Sequence, residues 1–314
     1  MLNLPDEMLY KIREDLGQKE ANRLTRTCHS LHSFFQNDVD TPLLNDLQNG
    51  VVYAGKDEEL EKELEPIMKN RPDLLFRKLE ITDGARRTFI NCSLWQYMIW
   101  SKDWHRWSQA LPHIPKELYA EAYQQLLELE TPGRKHGPCY DATPLKKALE
   151  SYKQKYQEFN FDNQQTAKKD AILVELWCKG VGVAQCGVSV ALANQYSRDD
   201  RSFYPCPDFE KDTILPRTLK FYNGLTDDSC VWFPLLDGLG SDFAIIRAWD
   251  TRGPGAGGVG ESVWLRIAWV DLVAVTAWDE VGTKKLLALK QFLKSELEYK
   301  NSPAQWPSSG YVIS

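Results

Sequence analysis

The chain has 314 residues, enough for a small module plus one large or two medium domains. Hydrophobic residues make up 43% and charged residues 26%, an ordinary folded composition that excludes a disordered chain. The balance of 38 basic against 44 acidic residues gives a net charge of −6 with no long basic run, which argues against nucleic acid as a partner.

The first elements lie in 4–35, LPDEMLYKIREDLGQKEANRLTRTCHSLHSFF. Apolar residues at Met8, Leu9, Ile12 and Leu16, then at Leu24, Cys28, Leu31, Phe34 and Phe35, recur every three or four positions and predict two helical faces. Pro5 suits a first helical turn, Asp6 and Glu7 suit the positive helix start, and Gly17 separates the helices. Helices this short cannot bury so much apolar surface alone. The order Leu4, Pro5, Glu7, Met8, Leu9, Ile12, Leu16, Leu24, Cys28, Leu31 resembles the F-box, a module that docks on the Skp adaptor of cullin-based ubiquitin ligases. Met8, Thr27 and His32 depart mildly from its pattern. The resemblance implies an F-box over 1–38, with Leu4, Pro5, Met8, Leu9, Ile12, Leu16, Leu24 and Cys28 forming the Skp-adaptor-binding surface. The N-terminus lacks the basic, apolar make-up of a signal peptide, and no apolar run approaches the length of a membrane span.

Residues 36–42 read as a linker, with Asp40 or Thr41 capping a new helix and Pro42 in its first turn. A helical region over 43–160 follows. It opens with a helix pair turning at Gly55 to Asp57, the second helix limited by Pro66 and Pro72. A turn at Asp83-Gly84 precedes helices starting near Ser93 and Asp103, with Leu94, Met98, Ile99, Trp104, Trp107 and Leu111 as the buried stripe. This helix pair, and Thr143-Pro144-Leu145 further on, loosely resemble ankyrin repeats. No fixed period emerges, so a degenerate repeat array and a single irregular helical domain are both open. Between them lie a helix over 116–129 and the polar turn TPGRKHGPCYD.

Beyond residue 161 the texture changes, and 161–300 reads as an α+β region ahead of a polar tail over 301–314. AILVELWCKGVGVAQCGVSVALANQYS predicts a long or kinked apolar helix. FAIIRAW and WLRIAWVDLVAVTAW, rich in β-branched and aromatic residues, predict strands, and GTKKLLALKQFLKSELEY predicts a final helix. The expected fold class is therefore mainly α: N-terminal F-box helices, an irregular ankyrin-like helical region and a C-terminal α+β region.

Motifs with chemical content are weak. Gly255-Ala256-Gly257-Gly258-Val259-Gly260 matches G-x-G-x-x-G, but Pro254 and a strand-like sequel favour a flexible hairpin loop over a dinucleotide site. Cys186, fifty residues after His136, is faintly similar to the caspase-type order, yet it sits in an Ala/Val-rich apolar segment. The seven Cys are scattered without a C-x-x-C, and the five His (29, 32, 105, 113 and 136) show no metal spacing, so no cofactor and no metal are expected. The Trp series at 95, 100, 104 and 107 has core spacing, while Trp232, Trp249 and Trp269 could be core or surface.

The pieces HGPCYDATPLKKAL, VGVAQCGVSVALANQY, DRSFYPCPDFEKDTILPRTLKFYN and GLGSDFAIIRA resemble a region shared by type IV secreted effectors of intracellular bacteria, whose members often carry F-boxes or degenerate ankyrin repeats. The tail is compatible with a C-terminal translocation signal. Together the resemblances imply an adaptor without catalytic residues. Its partners would be the Skp adaptor, the cullin ubiquitin ligase and an unknown host protein, with no nucleic acid and no membrane span. Its place would be the reducing host cytoplasm after bacterial secretion. Two other classes are open: an effector whose C-terminal domain is a Cys hydrolase or transferase, and a non-enzymatic interaction scaffold.

Overall fold

A computed structural model describes residues 29–53, 58–161, 167–213, 215–223, 225–247, 255–256 and 263–301. The chain forms two compact units, Met1–Gln48 and Asn49–Ser314. The first described element, α1 (His29–Val52), runs straight through 36–42, with Pro42 inside the helix. This corrects the predicted linker. Proline removes one helical hydrogen bond, but Leu44, Leu47 and Val51 recur at helical spacing and are buried, and that burial keeps the helix going.

In the second unit, α2 (Glu58–Asn70) likewise carries Pro66 internally and gives way at Arg71 to a 3-10 turn over Pro72–Phe76. So Pro72 does limit α2, and Pro66 does not. A hairpin of β1 (Leu79–Thr82) and β2 (Thr88–Cys92) follows, turning at Asp83 to Arg87. Then come α3 (Leu94–Trp100) and α4 (Trp104–Ala110), starting where the sequence places them. Ser93 and Gln96 form a reciprocal capping box on α3, and the Asp103 side chain accepts from the Arg106 N–H on α4. All seven residues of α3 are buried. Its polar Gln96 survives there because its amide donates to the Gln125 carbonyl (2.8 Å) on α5 (Tyr119–Leu129). Trp95, Trp100, Trp104 and Trp107 are all core residues.

The C-terminal region starts with α6 (Thr143–Phe161), a single 19-residue helix where an ankyrin opening would bring a short pair. Next, α7 (Ala167–Glu175) passes into a π-helical stretch, Leu176–Gly182, then α8 (Val183–Cys186), and after a break α9 (Val190–Tyr196). The predicted long apolar helix is thus kinked and broken. Gly182 permits a close approach where the π-helical stretch ends: a Cβ there would lie 2.6 Å from the Phe243 carbonyl oxygen, so only glycine lets the two backbones meet. A four-stranded sheet has the order β4-β3-β6-β5, built from β3 (Lys220–Asn223), β4 (Asp228–Val231), β5 (Ile245–Ile246) and β6 (Gly255–Ala256). The β3–β6 pair is parallel and its flanking pairs are antiparallel.

The largest departure from the sequence reading is α10 (Val263–Asn301), a 39-residue helix. It includes the segment predicted as a strand. β-branched and aromatic residues misled there, whereas the spacing of Ala268, Asp271, Val275 and Trp278, all buried, is helical. α10 packs along α5 and α6 and touches α4 and β5. The protein is mainly α with a C-terminal α+β region.

Candidate functional site

The proposed Skp-binding residues Leu4, Pro5, Met8, Leu9, Ile12, Leu16, Leu24 and Cys28 lie outside the described residues. Other sequence candidates fall within the body. Cys186 is half-buried; its thiol donates to the Leu239 carbonyl (3.4 Å), and burial pushes its pKa up. That favours the thiol over the nucleophilic thiolate. Gly255 and Ala256 form β6, and the rest of the glycine motif lies outside the described residues. His105 packs beside Trp104 with Nε2 3.4 Å from Asp212 Oδ2, and His113 Nε2 lies 3.6 Å from Glu65. Among the described residues no His, Cys, Asp or Glu cluster could hold a metal ion, and no helix is long and apolar enough to cross a membrane.

The segments resembling effector regions meet in space. The Gln185 side-chain amide accepts from the Ile245 N–H (2.7 Å) and donates to the Ile245 carbonyl (2.6 Å), replacing a missing strand neighbour. Cys178 donates to the Asp242 carbonyl (3.3 Å). The 198–217 segment is held by charge. Asp212 takes Arg198 and Arg201, each at 2.8 Å; burial would raise its pKa, but hydrogen bonds from His105, Arg198 and Gln195 and the Arg198 charge hold the carboxylate well below its usual range. Arg217 forks onto Asp103 at 2.6 and 2.8 Å. These are structural contacts of the core.

The candidate binding site is a cleft of approximately 330 Å³ between β2 and the loop ahead of α6. Its floor is aromatic. Phe89 meets Trp100 at 4.6 Å and His136 at 4.5 Å between ring centroids. The loop is pinned to the end of α3: the Trp100 indole donates to the His136 carbonyl (2.9 Å) and Tyr140 N–H donates to the Trp100 carbonyl (2.6 Å). His136 Nε2 lies 2.9 Å from the Thr88 carbonyl, which can only accept, so that nitrogen carries the proton. Arg134 and Lys135 form the basic wall. Arg134 donates to the Glu128 carbonyl (3.2 Å), which fixes the guanidinium at the rim, and Lys135 is exposed.

The β2 wall carries a bulge. Cys92 pairs with Leu79 and Phe89 with Ile81, so β2 advances three residues where β1 advances two. Asn91 absorbs the extra residue in the left-handed region (φ 54°). Consequently Ile90 and Asn91 both face outward, and Ile90 is 75% exposed. The sequence reading took 131–141 as a polar turn and missed this cleft. Its available signal was Arg134-Lys135-His136, three basic residues together in an acidic chain.

The comparisons with known proteins reach most of the chain, and a family model matches its C-terminal part. Residues 144–293, from the start of α6 to near the end of α10, match the family described as the CBUA0006 C-terminal domain. The uncharacterized protein CBUA0006 of Coxiella burnetii (strain RSA 493 / Nine Mile phase I) is 35% identical over 275 residues, covering 80% of this chain and 75% of that protein. No solved structure matches the chain. With that likeness extending well beyond the C-terminal domain, the chain belongs to the CBUA0006 family.

Proposed function

We propose that the protein is an F-box substrate adaptor of a Skp–cullin–F-box ubiquitin ligase, used by a bacterium as an effector in the host cytoplasm. The observation that carries this reading is the ordered set Leu4, Pro5, Met8, Leu9, Ile12, Leu16, Leu24 and Cys28 near the N-terminus. The Skp adaptor would cover their apolar surface. The Asn49–Ser314 body would hold a host protein near the ubiquitin-charged enzyme, and rate enhancement would come from that proximity. Membership in a family with a Coxiella burnetii protein supports the effector part. The raised pKa of Cys186 weighs against a Cys hydrolase.

Co-purification with a eukaryotic Skp adaptor tests the reading, wild type beside a Leu4→Ala/Pro5→Ala double variant. The expected result is a stoichiometric complex, weakened about tenfold or more in the variant from lost apolar burial, with the same body melting temperature. No complex with folded wild type would sink it. A plain interaction scaffold is the second reading, favoured by α1 running through 36–42 where a linker was expected. It predicts that the double variant lowers the melting temperature of the whole chain.

A further inference from the structure

The cleft beside β2 has three properties that belong together. First, β2 is an edge: its sheet has two strands, and β1 occupies the other side. Edge strands are templates for another strand unless they are blunted by charge, proline, a bulge or a covering element, and the bulge at Asn91 limits the template on β2 to the residues before it. Here the covering loop touches the strand at the Thr88 carbonyl through His136, and the cleft opens along Phe89, Ile90 and Asn91. Second, alternation from the buried Phe89 turns Ile90 outward with 75% of its surface exposed, and the bulge adds Asn91 to the same outward side, so an apolar contact stands where a strand would ordinarily carry a polar residue. Third, the opposite wall carries Arg134 and Lys135, while the chain as a whole is acidic at −6. Two carboxylates that precede the loop are already engaged, Glu128 with Lys78 (2.6 Å) and Glu130 with Lys290 (2.6 Å), and Asp141 at its far end accepts the Thr143 N–H (2.9 Å).

We propose that this cleft binds an extended acidic peptide segment of a partner protein, laid along the open edge of β2 with an apolar side chain on Ile90 and carboxylates toward Arg134 and Lys135. Strand addition supplies affinity through main-chain hydrogen bonds, and the side walls supply selectivity. A nucleic acid fits less well. Base stacking needs exposed aromatic faces, and Phe89 and Trp100 are buried floor residues. The cleft is built on the Asn49–Ser314 unit, so the proposal stands apart from the F-box reading.

The test is a fluorescence-anisotropy titration of the full chain with a fluorescein-labelled peptide alternating glutamate and valine. The expected result is saturable binding that weakens with added salt. Lys135→Glu should weaken it about fivefold to tenfold, from a lost attraction and an added repulsion. Lys135 is exposed, so the melting temperature should not change. Methylating alternate backbone amides of the peptide should abolish binding for one of the two alternating sets, because only one set faces β2. Absence of saturable binding would overturn the proposal. So would equal binding by Lys135→Glu, equal binding by both methylated peptides, or equal binding of a labelled oligonucleotide of matched charge.

Discussion

Around Ser93 the polar groups buried between α3 and α5 are neutral at their centre. Ser93 donates to Gln125 Oε1 (2.5 Å), Gln125 donates to the Phe76 carbonyl (2.8 Å), and Gln96 donates to the Gln125 carbonyl (2.8 Å). Around Asp103 the buried groups are charged. Arg217 forks onto Asp103, and Arg106 reaches Glu61 at 2.7 Å and the Gly50 carbonyl at 3.1 Å. Both clusters begin as helix caps, on α3 and α4, yet they serve different ends. The amide cluster joins elements close in sequence. The charged cluster joins α4 to a segment more than a hundred residues later, as does the Lys102–Asp279 pair (2.5 Å) between the α3–α4 turn and α10. The lesson is that the Ser93 network fixes packing within the helical region, while the Arg217–Asp103 and Lys102–Asp279 pairs clamp that region onto the α+β region.

Removing one partner of the charged clamp should break this contrast most strongly. Arg217→Met leaves the Asp103 carboxylate buried without its main counter-charge. The expected loss is about 3–5 kcal/mol, measured by urea unfolding. A loss below about 1 kcal/mol would mean that the pair is incidental to joining the two regions.

Part of this arrangement is readable in the sequence. Ser93 and Asp103 sit where helix-start chemistry places them, and the spacing of Trp95, Trp100, Trp104 and Trp107 announces their burial. Other parts are not local properties. Pro42 and Pro66 look like helix limits because proline is costly inside a helix, and only the burial of surrounding residues overrides that cost. Residues 264–278 look like a strand by type and behave as a helix by period. The cleft was missed for a third reason: the bulge that leaves both Ile90 and Asn91 outward depends on how β2 registers against β1, and residue types do not specify a register.

Acid should separate the two clusters next. Burial alone would raise the Asp103 pKa, but Arg217 outweighs it and holds the carboxyl at about 2, against an ordinary 3.8. A folded-state pKa below the unfolded value gives stability that is present in full above about pH 4 and lost as pH falls through about 2. The shift corresponds to about 2 kcal/mol. Comparing the pH dependence of the unfolding midpoint for wild type and Asp103→Asn isolates this contribution from the other carboxylates. The two curves should converge as the pH falls to about 2. Parallel curves would show that Asp103 titrates alike in the folded and unfolded states.

The smallest effect should come from the neutral cluster. Ser93→Ala removes the side-chain oxygen that accepts the Gln96 N–H (3.1 Å), and it removes the donor to Gln125. Loss of such a cap costs about 0.5–2 kcal/mol. The buried Gln125 oxygen then lacks that donor, which places the expected value in the upper half of the range. Because neither Ser93 nor Gln125 titrates, the difference between wild type and Ser93→Ala should stay constant from pH 7 to about pH 3. Meanwhile the Asp103→Asn difference shrinks over the lower part of the same interval. Glu128 provides the internal check. It accepts from both Lys78 and Gln96, and these contacts lower its pKa against the opposing effect of burial. If Ser93→Ala does acquire an acid dependence, the cap is coupled to a carboxylate, either Glu121 through Gln125 or Glu128 through Gln96. The amide cluster would then be an extension of a charged group and no longer the neutral counterpart of one.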